Sequence, residues 1–145
     1  MTVENRIIAF AKNSIDQPTN TKVEMVINTI SSNEAALFKD SLDIEVNGYV
    51  RKIDNFSIVH THKNHGSAEK EEKRGQVAIT IYDFALIEEI AKAGNAVYTA
   101  KNKIGRDCIM YCYEKVYTYY LVEEIRTGKK ELVLNTMYKI KPPQS

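Results

Sequence analysis

The sequence predicts an α+β fold in which N-terminal helices pack on one face of a four-stranded antiparallel β-meander. Three observations carry that expectation. From Ala96 onward the chain falls into short runs rich in Val, Ile, Leu, Tyr and Thr, parted by turn residues such as Gly105 and Thr127-Gly128. The residues before Gly94 instead place apolar side chains mostly at helical spacing, between polar breaks. At 145 residues, 43% hydrophobic and 27% charged, the chain is of a size and composition that buries one core, so a single domain over 1–145 is expected.

The elements follow in order. Val3, Ile7, Ile8 and Phe10 suit a helix over 3–12, and the stretch from Ser14 to Asn20, with Pro18, breaks it. Lys22 to Ile30 alternates Val23, Met25 and Ile27 against Glu24, Val26 and Asn28, which predicts a strand. Ser32 stands where an N-cap belongs, ahead of a helix from Asn33 to Lys39, and an irregular stretch then runs to Gly48-Tyr49. Asn55 and Ser57 precede a helical pattern of Phe56, Val59 and Lys63 that Gly66 stops. Ser67 to Lys73 is polar and charged throughout except for Ala68, and is expected to be a mobile surface loop. Val77 to Ile81 predicts a short strand, and Asp83 the cap of a helix with a Phe84, Ile87, Ile90 and Ala91 stripe ending at Gly94. The meander comprises Ala96–Lys101, Asp107–Tyr113, Val116–Ile125 and Glu131–Lys139, and residues 142–145, with Pro142-Pro143, form a frayed tail.

Several classes are set aside. No run approaches the roughly 18 apolar residues of a membrane helix. The N-terminus, with Glu4 ahead of Ile7-Ile8-Ala9-Phe10, lacks a secretory layout, so a cytoplasmic protein or a delivered effector is expected. Cys108 and Cys112 share a strand face without further cysteines to complete a metal set, and read as buried thiols. The formal net charge of +1 hides an asymmetry: residues 1–94 carry 11 basic and 14 acidic side chains, residues 95–145 carry 9 and 5. The C-terminal third is the better candidate for a phosphate-facing surface, although lysines at strand edges also serve solubility.

All three histidines lie in His60-Thr61-His62-Lys63-Asn64-His65-Gly66. Histidine titrates nearest neutrality, so two of them can act as base and acid in one reaction. His60 and His65, five apart, converge only if the helix ends at Gly66. A zinc site on His60, His62 and His65 is a second reading that the spacing fits poorly, and three solvated histidines are a third. Arg74, beside Gly75, offers a guanidinium suited to a phosphate or to a surface carboxylate. In the last strand Leu132, Leu134, Thr136 and Tyr138 share one face by alternation. Thr136 and Tyr138 can therefore bind a phosphate or a base together, or simply favour the strand. The run Tyr113, Tyr117, Tyr119 and Tyr120 stacks bases or packs the sheet.

Taken in order, Gly48-Tyr49, Ile53-Asp54, Ile58-Val59-His60, His65-Gly66, Glu72, Arg74-Gly75-Gln76, Ile79-Thr80, Asp83-Phe84, Ile87 and Leu134-Asn135-Thr136-Met137-Tyr138-Lys139 resemble the phage-associated nucleases of the barnase, EndoU, colicin and RelE superfamily, over about residues 23–141. The resemblance implies an α+β fold with a four-stranded antiparallel sheet. It also implies cleavage of RNA, tRNA among the candidates, by attack of the ribose 2'-hydroxyl on phosphorus, without metal or cofactor, to a 2',3'-cyclic phosphate. On this carry-over His60 and His65 are base and acid in either order, and Arg74 and Lys115 stabilise the transition-state charge. Thr136 and Tyr138 position the phosphate or base, and His62 has no counterpart. A neutralising immunity or antitoxin protein is the expected partner. A non-catalytic protein- or RNA-binding module and a zinc-dependent hydrolase are the competing expectations.

Overall fold

The computed structural model describes residues 1–93 and 96–142. Helices α1 (Val3–Asp16), α2 (Ser32–Leu42), α3 (Asn55–His65), α4 (Ala68–Lys73) and α5 (Ile87–Lys92) accompany strands β1 (Glu24–Thr29), β2 (Val50–Asp54), β3 (Ala96–Lys101), β4 (Asp107–Glu114), β5 (Thr118–Arg126) and β6 (Glu131–Ile140). The strands form one six-stranded sheet in the order β1-β2-β6-β5-β4-β3. The expected meander is its β3-to-β6 part, four of the six strands. The antiparallel pair β1–β2, whose strands α2 connects, extends it through a parallel β2–β6 ladder, Val50 opposite Glu131 and Lys52 opposite Val133. The expected helix stop at Gly94 and the tail beyond Pro142 lie outside the described residues.

Local chemistry accounts for most of the departures from the sequence reading. Helix α1 runs on to Asp16 and closes with the Gln17 amide donating to the Asn13 carbonyl; buried Ser14 is satisfied within it by the Phe10 carbonyl, and the chain turns away before Pro18. Ser31, not Ser32, caps α2, accepting from the Glu34 amide at 3.1 Å. Asp54 caps α3, and the buried side of that helix is Asn55, Ile58 and Thr61, with Phe56 turned outward. The residues expected as a mobile loop form α4, capped by Ser67. The expected strand Val77–Ile81 reduces to one bridge, Val77 to Lys139, because the Ile79 amide donates to the His65 carbonyl instead of joining a ladder. Asp83 opens a 3-10 turn (Asp83–Leu86) without capping it. Buried Asp83 instead accepts from the Thr80 amide, the Tyr119 hydroxyl and the Lys139 ammonium.

The core lies on one face of the sheet, where Ile109, Tyr111, Leu121, Leu134 and Met137 meet Ile7 and Ala11 of α1, Phe38 of α2 and Phe84, Ile87 and Ile90 of the last helical segment. Within it Arg51, 0% exposed, binds Glu123 at 2.9 Å, Glu34 at 3.0 Å and the Asn28 side chain at 3.2 Å. Tyr111 closes the network with a 2.6 Å bond to Glu123. Removing any charged member would strand another in low dielectric, so the cluster ties β2 to α2 and β5 in a single arrangement.

The opposite face carries Cys108, Met110, Tyr120, Val122 and Glu124, by their cross-strand pairing. A β-bulge decides what β6 adds to it. Thr136 pairs with Val122 and Leu134 with Glu123, which leaves Asn135 as the extra residue. The bulge reverses the phase of the strand: Leu132, Leu134 and Met137 all enter the core, while Thr136 and Tyr138 join the open face. Thr136 and Tyr138 do share a face, as alternation predicts, but not the face of Leu132 and Leu134.

Candidate active site

Helix α3 follows β2 and packs along β6 where the parallel ladder ends, so its last turns overhang the open face of the sheet. A cleft of about 650 Å³ opens there. One wall is α3, through His60, Asn64 and His65. Asn135, Thr136 and Glu124 form the floor, and Lys101, Asn102, Lys103 and Ile104 of the β3–β4 turn form the far wall. The two histidines, five residues apart, reach the same cleft because α3 ends at His65 with Gly66 as its C-cap.

Gly66 is required by crowding rather than by handedness. Its φ is −96°, and a Cβ there would collide with the His62 carbonyl oxygen and lie 2.9 Å from the His62 ring. His62 consequently packs on the helix end and is not part of the cleft lining. The three histidines do not converge. Among the described residues no group of three or more His, Cys, Asp or Glu side chains is arranged to hold a metal ion.

Each cleft histidine has a partner. Asn64 Nδ2 lies 2.9 Å from His60 Nε2, one helical turn away, and steadies the ring whichever way the amide is turned. His65 Nδ1 lies 3.1 Å from Glu71 Oε2. Glu71 is 0% exposed, and its other oxygen accepts from Arg74 Nη1 at 2.7 Å. A carboxylate so engaged only accepts, so Nδ1 of His65 carries the proton and Nε2 is left for proton transfer. The His65 ring also lies against Tyr138, centroids 5.6 Å apart, and Tyr138 stacks on Tyr120 at 4.9 Å.

Arg74 Nη1 donates at 2.6 Å to the Asn64 carbonyl as well, which pins α4 against the end of α3. Arg74 thus pairs with a buried carboxylate, where the sequence suggested a phosphate or a surface carboxylate, and it is not among the cleft-lining residues. Lys115 is placed apart from the histidines. It lies in the β4–β5 turn and pairs with Glu89 of α5 at 3.2 Å; the Tyr113 hydroxyl foremost, and then Lys115, hold the Glu89 carboxyl below its ordinary range. Glu71, Lys101 and Lys103 escaped the sequence reading. The basic surplus after residue 95 is the signal that pointed toward the two lysines.

Glu124 anchors the far side of the floor. Burial raises its carboxyl, but Arg106 at 2.8 Å and Arg126 at 2.9 Å outweigh burial and hold it below the usual range. Asn102 then bridges Glu124 to Asn135 at the bulge. Cys108, behind this wall, is a buried free thiol, and Cys112 is half-buried.

No helix among the described residues is long and apolar enough to cross a membrane. No curated protein and no solved structure matches the chain. A family model described as phage-Barnase-EndoU-ColicinE5/D-RelE like nuclease 3 matches residues 28–145, which include α3, the β3–β4 turn and β6, and so both walls and the floor of the cleft. By that match the chain belongs to the phage-associated barnase, EndoU, colicin E5/D and RelE-like nucleases.

Proposed function

We propose that the protein is a metal-independent endoribonuclease that cuts RNA by attack of the ribose 2'-hydroxyl on the adjacent phosphorus, leaving a 2',3'-cyclic phosphate and a free 5'-hydroxyl. The observation that carries the reading is the pairing of His65 with buried Glu71 on the same cleft wall as His60. One histidine takes the 2'-hydroxyl proton while O2' bonds to phosphorus, and the other protonates the departing 5'-oxygen. Glu71 holds His65 in one tautomer and balances the imidazolium when it forms, as a positioning residue. Lys103 and Lys101 on the far wall offset the charge that develops on the phosphorane oxygens, and Thr136 on the floor donates to the phosphate. Arg74 acts through Glu71 and Asn64, and the Tyr120–Tyr138 stack supports the His65 ring. Free RNA cleavage harms the producing cell, so a neutralising partner protein belongs to the proposal.

The test incubates the purified protein with total cellular RNA in excess chelator, alongside His60→Ala and His65→Ala, and reads the fragment termini. Cyclic phosphate ends that vanish with either variant are the expected result. RNA left intact both in chelator and with added zinc refutes the enzyme and leaves a binding module on the same fold.

A further inference from the structure

A second groove, of about 400 Å³, lies at the turn ends of the sheet and is lined by Lys22, Arg106, Ile125, Arg126, Thr127, Gly128 and Lys129. Four of these residues are cationic and none is acidic. Three carboxylates lie near them: Glu124, which holds Arg106 and Arg126; Asp54, 3.9 Å from Lys22 and 4.0 Å from Arg126; and Glu24, which is bonded to Lys52 but also feels the charges of Lys22 and Lys129. Four cations against three carboxylates leave a surplus of one positive charge, and Lys22, Arg106 and Lys129 are exposed.

The groove is joined to the histidine cleft. Glu124 lines the cleft, and its carboxylate grips the two arginines that line the groove. Thr136 of the cleft pairs with Val122, four residues along β5 from Arg126. At about 3.3 Å per strand residue the two lie about 13 Å apart.

We propose that this groove binds the phosphodiester backbone of the single-stranded RNA whose scissile phosphate occupies the histidine cleft. The identity of the strand rests on the endoribonuclease reading. The fixed guanidiniums of Arg106 and Arg126 and the flexible Lys22 and Lys129 engage phosphates, not bases, so the groove sets the length of strand held and not its sequence.

The test measures binding of a labelled 2'-O-methyl oligoribonucleotide, which cannot be cut by 2'-hydroxyl attack, across a salt series. The parent protein is compared with Lys22→Ala/Lys129→Ala, and a 2'-O-methyl dinucleotide serves as the control that only the cleft can hold. Loss of two phosphate contacts makes the salt slope shallower by about 1.4 and weakens the long strand about 25-fold at 0.1 M salt. Dinucleotide affinity stays unchanged. Equal affinity and slope for parent and variant overturns the groove, and an acidic polypeptide is then the better fit for its charge. Failure of the parent to bind the long strand overturns it as well. Binding with the expected slope change but no cleavage of unmodified RNA sinks the endoribonuclease and leaves the groove standing.

Discussion

Replacing Glu71 by Gln keeps the shape of the side chain and removes its charge. The carboxylate now accepts from two donors, His65 Nδ1 at 3.1 Å and Arg74 Nη1 at 2.7 Å. Arg74 can only donate, so the Gln carbonyl oxygen must turn to it and the amide nitrogen to His65. An amide N–H facing Nδ1 makes that nitrogen the acceptor and moves the ring proton to Nε2. His65 is then in the wrong tautomer for a base, and no carboxylate remains to balance an imidazolium if it serves as the acid. The loss expected is that of one positioned proton-transfer group, roughly 100- to 10,000-fold in kcat, or about 3–5 kcal/mol. KM changes little, because Glu71 is 0% exposed and does not line the cleft. Initial rates on a labelled RNA oligonucleotide in excess chelator provide the assay, with circular dichroism to confirm folding. Groups that act as a unit are not additive, so Glu71→Gln should cost almost nothing further in a His65→Ala background. A single variant that cleaves within about threefold of the parent, or a double variant with fully additive losses, refutes the orienting role.

Other perturbations test the frame around the site. His62→Ala should retain cleavage where His60→Ala loses it, and Gly66→Ala should destabilise by about 1–3 kcal/mol through the clash with His62, a fall of about 3–10 °C in Tm. An unchanged melt would show that the helix end relaxes freely. Arg51→Met strands Glu34 and Glu123 in the core and should cost about 3–5 kcal/mol in urea unfolding; a loss under about 1 kcal/mol would show that water reaches the pair. Burial, aided by Glu124, pushes the Cys108 thiol up to about 11. Alkylation of the native protein near pH 8 should therefore mark Cys112 and spare Cys108, read by mass spectrometry. Because the unfolded thiol ionises near 9.0, the protection given by the buried neutral form is complete below that pH and is lost as pH rises toward about 11. Equal labelling of the two cysteines counts against this.

The half of the fold written in alternation was legible. The four strands after residue 95 stand within a few residues of their expected bounds, since Gly105 and Thr127-Gly128 punctuate apolar runs. Strand β2 was missed because Val50-Arg51-Lys52-Ile53-Asp54 shows charge where a core strand shows Val or Ile. Arg51 is tolerated in the core only through Glu34 and Glu123, partners remote in sequence. Helix α4 hid for a related reason. Ala68-Glu69-Lys70-Glu71-Glu72-Lys73 has no apolar stripe, and its buried residue is Glu71, held by His65 and Arg74. The histidine motif itself could be read from chemistry and from the helix stop, and the structure brings His60, His65 and Thr136 to one cleft. Glu71, the orienting partner of His65, could not, because a hydrogen bond between helices leaves no period in a sequence.

The parallel ladder joining β2 to β6 carries a consequence for synthesis. Val50 and Glu131 are neighbours in the sheet but are made 81 residues apart, and the floor of the histidine cleft is contributed by Asn135 and Thr136 of the same late strand. Contacts so distant along the chain form late, after the loop between them has closed. A ribosome-bound chain that has released α3 but not β6 holds both histidines beside no floor, and its β1–β2 pair has an unfilled edge. On the proposed reading, the cleft is therefore incomplete while the nascent chain lies closest to the RNA of the machine that makes it.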